Sequence, residues 1–155
     1  MMTTRTAASA PRPVRRPPSS SLQIARQLLE EIVAHAREES PRECCGLIAA
    51  RNGHAVAVHR VRNVAINPKS ADFMEAKEQY VAMRAIEDAD LDIGAIYHSH
   101  PRSDPVPSET DVNLARQWPG MRWMIVGLLG DEPLIRTWRI VDDAFHEDAH
   151  EVQDG

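Results

Sequence analysis

Two histidines one residue apart, His98 and His100, stand at the end of the apolar segment LDIGAIYHSH. In a β-strand the side chains alternate between the two faces, so residues i and i+2 point the same way. Two neutral imidazoles on one face are well placed to hold one cation, and zinc accepts histidine nitrogen as a ligand. Most histidine pairs of this kind are surface or core residues, so a zinc site at the end of this strand is a hypothesis that depends on the residues that follow.

A zinc site that keeps one position open for water needs a third protein ligand. The loop PRSDPVP, whose three prolines restrict the backbone, leads from His100 to the segment SETDVNLARQ. Ser108 and Asp111 have the spacing of a helix N-cap and its capping-box partner. Asp111 is the preferred third ligand because a helix holds its side chain more rigidly than a loop does, and Asp104 is the alternative.

Hydrophobic periodicity indicates the elements that must position these residues. Residues 22–40 have apolar side chains at helical spacing, and Ser21 is a candidate N-cap. CCGLIAA and HAVAVHRVRN flank Asn52-Gly53, a pair typical of a hairpin turn. The apolar face of a second helix is predicted at Tyr80, Met83 and Ile86.

The remaining sequence supplies strands and one short helix. In LDIGAIYHSH, alternation places Ile93, Ala95 and Tyr97 on the face opposite the histidines. RWMIVGLL and LIRTWRIV predict a final strand pair, and the polar sequence after Val141 is expected to fray. The order of elements indicates a mixed α/β fold, with a largely antiparallel sheet packed with helices.

Composition and charge reduce the number of function classes that fit the chain. No apolar run approaches the roughly 20 residues of a membrane-spanning helix, so no membrane association is expected. Residues 1–21 contain four arginines and no acid, and they are expected to form a disordered Pro- and Arg-rich tail. The rest has 14 basic against 23 acidic residues, which argues against a nucleic-acid partner. The folded domain is expected at 22–145, followed by a polar tail at 146–155.

The only two cysteines, Cys44 and Cys45, are adjacent. Adjacent cysteines rarely form a disulfide with each other, so a reducing cytoplasm is the simplest location. Because zinc-finger spacing is absent, any metal site must use histidine and carboxylate ligands.

The segment HSHPRSDPVPSETD resembles the JAMM (MPN+) metalloprotease motif, in which His-x-His is followed by seven residues and then Ser-x-x-Asp. His98, His100, Ser108 and Asp111 match that spacing. The upstream PRECCGLI is similar to the family's Pro-x-Glu-x-Cys-Gly-Leu block and places its glutamate at Glu43. The resemblance covers nearly the whole of the predicted folded part.

The resemblance implies a deaminase-like α/β fold with zinc in a cleft. It implies that Zn²⁺ is the cofactor and that His98, His100 and Asp111 are its ligands. Glu43 would accept a proton from the attacking water and donate it to the leaving amine. Ser108 would help to stabilise the oxyanion, in addition to capping its helix.

The short spans around the motif resemble the compact bacterial branch of the family, and MRAIEDADLDIGAIYHSH resembles the sulfur-carrier-protein–cysteine hydrolases. This implies hydrolysis of an amide bond at the C-terminus of a ubiquitin-like sulfur-carrier protein, which either releases cysteine from an adduct or trims the carrier tail. The alternatives are a non-catalytic scaffold of the same fold and an isopeptidase acting on another ubiquitin-like modifier. A nucleoside deaminase is disfavoured because its His-x-Glu and Pro-Cys-x-x-Cys pattern is absent.

Overall fold

An eight-stranded sheet dominates the computed structural model, which describes residues 21–154. The strands are Gln23–Ala25 (β1), Cys45–Arg51 (β2), His54–Val61 (β3), Asp92–His100 (β4), Arg122–Gly127 (β5), Leu134–Val141 (β6), Ala144–Glu147 (β7) and Glu151–Gln153 (β8). The helices are Arg26–Glu39 (α1), Ala76–Asp88 (α2) and Glu109–Ala115 (α3). In this part of the chain, no helix is long and apolar enough to cross a membrane. The disordered tail predicted for residues 1–21 lies, except for Ser21, outside the described residues.

The sheet has the strand order β7-β6-β5-β4-β2-β3-β1-β8 and is largely antiparallel. Antiparallel pairing joins β2 to β3 and β4, and it joins β6 to β5 and β7. Parallel pairing joins β4 to β5, and β1 to both β3 and β8. The predicted mixed α/β class is therefore confirmed.

Two apolar layers cover the two faces of the sheet. The layer that includes α1 contains Leu29, Ile32, Ala36, Ile48, Tyr97 and Met124. The opposite layer, which includes α2 and α3, contains Leu47, Ala82, Ile86, Ile96, Ala115 and Trp123. Since Ile96, His98 and His100 share one face of β4, both histidines lie on the side of α2 and α3.

The chain enters the sheet through β1, a strand that the sequence pattern assigned to the first helix. Leu22 and Ile24 are almost fully buried there, and β1 pairs with β8 along its whole length. The helix α1 begins only at Arg26, and its N-cap is Ala25, which forms no side-chain cap. The prediction that Ser21 caps this helix is therefore wrong.

The C-terminal segment was expected to fray after Val141, but it forms β7 and β8 at opposite edges of the sheet. Only residues 148–150 connect these two strands, and this short connection spans about 14 Å at most when extended. The sheet must therefore curl until its two edges lie close together. Regular structure thus continues to Gln153, within the polar tail that was predicted for residues 146–155.

Asp148 anchors this connection by binding two guanidinium groups. Its Oδ2 accepts hydrogen bonds from Arg122 Nε at 2.9 Å and from Arg139 Nε at 2.8 Å. We expect Asp148→Ala to lower the free energy of unfolding by about 1.5–3 kcal/mol, because two guanidinium groups would each lose a charged hydrogen-bond acceptor. Chemical denaturation measures the change, with Asp154→Ala as a control, since Asp154 pairs with Arg26 on the exposed surface. Equal stability of the two variants would contradict this role of Asp148.

Candidate metal centre

The side chains predicted to form a metal site converge where β4 ends and α3 begins. His98 and His100 lie at the end of β4, Asp111 lies in the first turn of α3, and all three are buried. Glu43, also buried, comes two residues before the start of β2. Because Cys45 pairs with His98 across the two neighbouring strands, Glu43 is brought to the same end of the sheet.

The ligand atoms of His98, His100 and Asp111 form a tight triangle. The Nε2 atoms of the two histidines are 3.3 Å apart, and Asp111 Oδ2 lies 3.2 Å from each of them. Zinc bonds of about 2.0–2.1 Å at tetrahedral angles would separate two ligand atoms by about 3.3–3.4 Å. The triangle therefore fits one tetrahedral cation, and two imidazoles with a carboxylate are a typical set of zinc ligands.

Hydrogen bonds orient the ligands of this triangle. His100 Nδ1 lies 2.9 Å from the carbonyl oxygen of Asp104, to which it donates, and this leaves Nε2 free to bind a metal. Asp111 Oδ2 accepts from the Ser108 N–H at 2.8 Å, and Ser108 Oγ accepts from the Asp111 N–H at 3.1 Å. The predicted capping box is therefore confirmed. Asp104, the alternative ligand, contributes its carbonyl group while its side chain stays exposed.

The loop between His100 and α3 is fixed against the rest of the fold. Trp138 Nε1 donates to the carbonyl of Pro105 at 3.0 Å, and Pro105 is buried. Position 127 must be glycine, because a Cβ there would lie 2.7 Å from Pro105 Cδ. A loop fixed in this way delivers Asp111 to the histidines in a defined position.

The electrostatics of the triangle favour a positive charge between its members. Burial acts to lower the pKa of His98, but the carboxylates of Asp72 and Asp111 raise it to about 10. Burial acts in the opposite direction on Asp111, whose pKa is held well below its usual range by His98 and His100. In the absence of a metal, a protonated imidazole therefore supplies the positive charge that a cation would bring.

A pair of acids, Glu43 and Asp72, borders the triangle. Each places a carboxylate oxygen within 4.8 Å of a ring nitrogen of His98. Burial raises the pKa of Glu43 to about 8, against the opposing charge of His98, and burial also raises the pKa of Asp72. Glu43 Oε1 is buried and has no hydrogen-bond partner within residues 21–154. Such an oxygen is well placed to exchange a proton with a water or substrate at the cation site.

Sequence reasoning did not single out Asp72, because the loop between β3 and α2 has no motif spacing relative to the histidines. Asp72 reaches the site because this loop folds back on Glu43, whose N–H donates to the carbonyl of Pro68 at 2.7 Å. No periodic pattern in NPKSADFME marks this contact, so only its polar character was visible in the sequence.

An open groove of about 700 Å³ adjoins Asp72 and the start of α3. Asp72 and Thr110 line the groove, together with the exposed apolar side chains of Val64, Ile66 and Phe73. Ile66 is 96% exposed, which is unusual for an isoleucine and indicates a surface that can contact another chain. The groove could accept an extended peptide whose end lies close to the metal centre.

Comparisons with known proteins agree with this geometry. Residues 25–141 match the family model for prokaryotic homologs of the JAB domain. A desampylase from Haloferax volcanii is 41% identical over 113 residues, which are 69% of this chain and 81% of that protein. A CysO-cysteine peptidase from Mycobacterium tuberculosis is 33% identical over 129 residues, which are 82% of this chain and 88% of that protein.

A solved structure supports the same conclusion for the fold. The crystal structure of a JAB1/MPN domain protein from Archaeoglobus fulgidus is 22% identical, with a TM-score of 0.61 over 86% of this chain and 99% of that one. The matched residues 25–141 include Glu43 and all three members of the triangle, and the fold and Zn²⁺ cofactor predicted from the motif are confirmed. The chain therefore belongs to the family of prokaryotic JAB-domain homologs, and it is a zinc metallopeptidase of the JAMM type.

Proposed function

We propose that this metallopeptidase hydrolyses an amide bond at the C-terminus of a ubiquitin-like sulfur-carrier protein. In this proposal His98, His100 and Asp111 hold the zinc ion, Glu43 transfers the proton and Ser108 donates to the oxyanion. One observation carries it: three ligand atoms lie 3.2–3.3 Å apart, beside the buried Oε1 of Glu43, which has no hydrogen-bond partner in the described part of the chain.

The bound zinc would polarise the substrate carbonyl and lower the pKa of a coordinated water. Glu43 accepts a proton from the attacking water while the water oxygen bonds to the carbonyl carbon. Glu43 then donates this proton to the amide nitrogen as the carbon–nitrogen bond breaks. The products are the carrier with a free C-terminal carboxyl group and an amine.

Ser108 can serve its helix and the substrate at the same time. Its Oγ accepts a hydrogen bond from the Asp111 N–H, and this bond does not use the hydroxyl hydrogen. The hydroxyl can therefore donate to the carbonyl oxygen as negative charge develops there.

Two relatives and the groove support the proposed substrate class. The mycobacterial relative, named for a CysO–cysteine bond, matches 82% of this chain, so release of cysteine from a carrier adduct is the reaction that we propose. A second candidate is the desampylase activity named for the Haloferax relative, since that protein has the higher identity. The groove beside Asp72 would hold the extended carrier tail in either case, as extended peptides bind along a cleft edge.

The two cysteines support a cytoplasmic location for this enzyme. Cys44 and Cys45 are free and buried, and burial raises the pKa of the Cys44 thiol to about 12. Thiols of this kind are unreactive members of the core and persist in a reducing compartment.

Intact-mass spectrometry of carrier conjugates tests the proposed reaction. We expect the zinc-loaded protein to convert a carrier–cysteine adduct into free carrier and cysteine, and a chelator should stop cleavage until zinc is added back, because the ligand triangle holds the required ion. A carrier joined to a lysine side chain of a second protein, tested in parallel, distinguishes the second candidate. Absence of cleavage of both conjugates by the zinc-loaded protein would contradict the proposed function.

A further inference from the structure

One amide side chain ties the loop between β3 and α2 to the backbone of Glu43. The Nδ2 group of Asn63 donates to the carbonyl oxygens of Glu43 at 2.9 Å and Ala71 at 3.0 Å. The Oδ1 atom of Asn63 accepts from the N–H groups of Ala65 at 2.9 Å and Phe73 at 3.0 Å. The Nδ2 group also lies 3.5 Å from the carbonyl oxygen of Pro68, so the amide contacts five backbone groups.

Glu43 depends on this loop because it lies outside the regular ladder of β2. Its own N–H donates to the carbonyl of Pro68, which belongs to the same loop. The next residue, Cys44, is held separately, since its N–H donates to Ser99 Oγ at 2.8 Å. The carbonyl of Glu43 is therefore hydrogen-bonded to Asn63, and its N–H is hydrogen-bonded to the loop that the Asn63 side chain holds in place.

We propose that Asn63 is a positioning residue that places Glu43 for proton transfer. The inference rests on the proposed role of Glu43. A proton-transferring group must come within about 2.6–3.2 Å of the atom that it serves. Misplacement by about 1 Å can lower a rate by about 100-fold, so loss of the Asn63 anchor should slow turnover without removing the metal.

Asn63→Asp tests the donor group of the amide separately from its acceptor oxygen. The acceptor for the loop N–H groups remains, but the donor to the Glu43 carbonyl is lost. On the carrier–cysteine adduct we expect kcat to fall about 10–100-fold, with KM changed less than about threefold and zinc content unchanged. Asn113→Asp makes the same change on the exposed side of α3, where the amide oxygen accepts a hydrogen bond from Arg116, and should leave kcat unaltered.

Introducing Asn63→Asp into the Glu43→Gln variant separates an effect on the position of Glu43 from general destabilisation. If Asn63 acts through Glu43, Asn63→Asp should lower the residual turnover of Glu43→Gln by less than about threefold. Equal fold losses in both backgrounds, or wild-type kcat in Asn63→Asp, would overturn the inference. Near-normal turnover of Glu43→Gln alone would instead overturn the proposed role of Glu43.

Thermal unfolding and zinc content of each variant show whether the comparison is made on folded protein. Should Asn63→Asp fail to fold, Asn63→Ser replaces it in both the wild-type and the Glu43→Gln protein, because serine keeps one hydroxyl but cannot bridge the same backbone groups. The same decreases in kcat are expected for Asn63→Ser. A folded Asn63→Ser variant with the kcat of the wild type would again overturn the inference.

Discussion

Replacing Glu43 with glutamine should remove most turnover while leaving zinc in place. We expect kcat to fall about 10²–10⁴-fold, the range for loss of a positioned proton-transfer group. The glutamine amide has nearly the same shape as the carboxyl group but cannot accept the proton of the attacking water. Zinc content should stay unchanged, since the proposed ligands are His98, His100 and Asp111. KM should also change little, because the lost interaction belongs to the transition state.

Steady-state kinetics on the cleaved conjugate, with metal analysis of the same samples, measure both effects of Glu43→Gln. Glu31→Gln is the matched control, because Glu31 carries the same functional group on the exposed side of α1. Turnover of Glu43→Gln within about threefold of the control would remove Glu43 from the mechanism.

Asp111→Asn should lose both zinc and activity. Asp111 Oδ2 faces both histidine nitrogens, and its negative charge favours a cation between them. Changes in groups that only support a metal ligand weaken binding by about 10–100-fold, so replacing a ligand carboxylate by a neutral amide should cost more than about 100-fold in zinc affinity. Turnover measured at limiting zinc should fall in proportion to the loss of bound zinc. Competition with a chromophoric chelator measures the affinity directly.

Asp104→Asn is the matched control, because it makes the same change in the nearest rival acid. The Asp104 side chain is exposed, and His100 is contacted by the backbone carbonyl of Asp104. The zinc affinity of Asp104→Asn should therefore equal that of the wild type. Unchanged zinc affinity in Asp111→Asn, or a greater loss in Asp104→Asn, would show that the third ligand has been assigned incorrectly.

Local rules predicted where the members of the triangle lie on their elements, and the spacing shared with the JAMM motif predicted that they bind one ion. Alternation along a strand is enough to put His98 and His100 on one face. The capping box then places Asp111 in the first turn of the helix that follows. Neither rule brings Asp111 to the histidines, because that contact depends on the loop that Trp138 holds through Pro105.

The loop contacts of the site were not predictable in the same way. Asn63 and Asp72 reach Glu43 and His98 through an irregular loop whose shape is set by side-chain-to-backbone hydrogen bonds. Such bonds have no period in the sequence, because they depend on the conformation of the whole loop. Asn63 therefore looked like an unremarkable polar residue after a strand.

Alternation failed at one position in β4. Ile93 was predicted on the same face as Ala95 and Tyr97, but it packs in the opposite layer with Ile96. The prediction was wrong because the register between β2 and β4 shifts at this point, where Gly94 forms a bulge. A Cβ at Gly94 would lie 2.6 Å from Ala50 Cβ, so the isolated glycine was the sequence signal for this irregularity.

The edges of the sheet and the second helix also differed from the prediction. β1, β7 and β8 are only three or four residues long, which is too short for a periodic pattern. In α2 the buried residues are Ala82 and Ile86, whereas Tyr80, predicted on the apolar face, is 55% exposed. The packed stripe of α2 is therefore narrower than its hydrophobic pattern indicated.

X-ray absorption at the zinc edge, on protein loaded with one equivalent of zinc, tests the ligand set most directly. We predict four nitrogen or oxygen neighbours at about 2.0–2.1 Å, with the scattering pattern of two imidazole rings. The alternative group of Glu43, Asp72 and His98 would show only one imidazole ring, and the buried thiols of Cys44 and Cys45 would show sulfur. A sulfur neighbour at about 2.3 Å, or failure to retain one equivalent of zinc, would contradict a centre built from His98, His100 and Asp111.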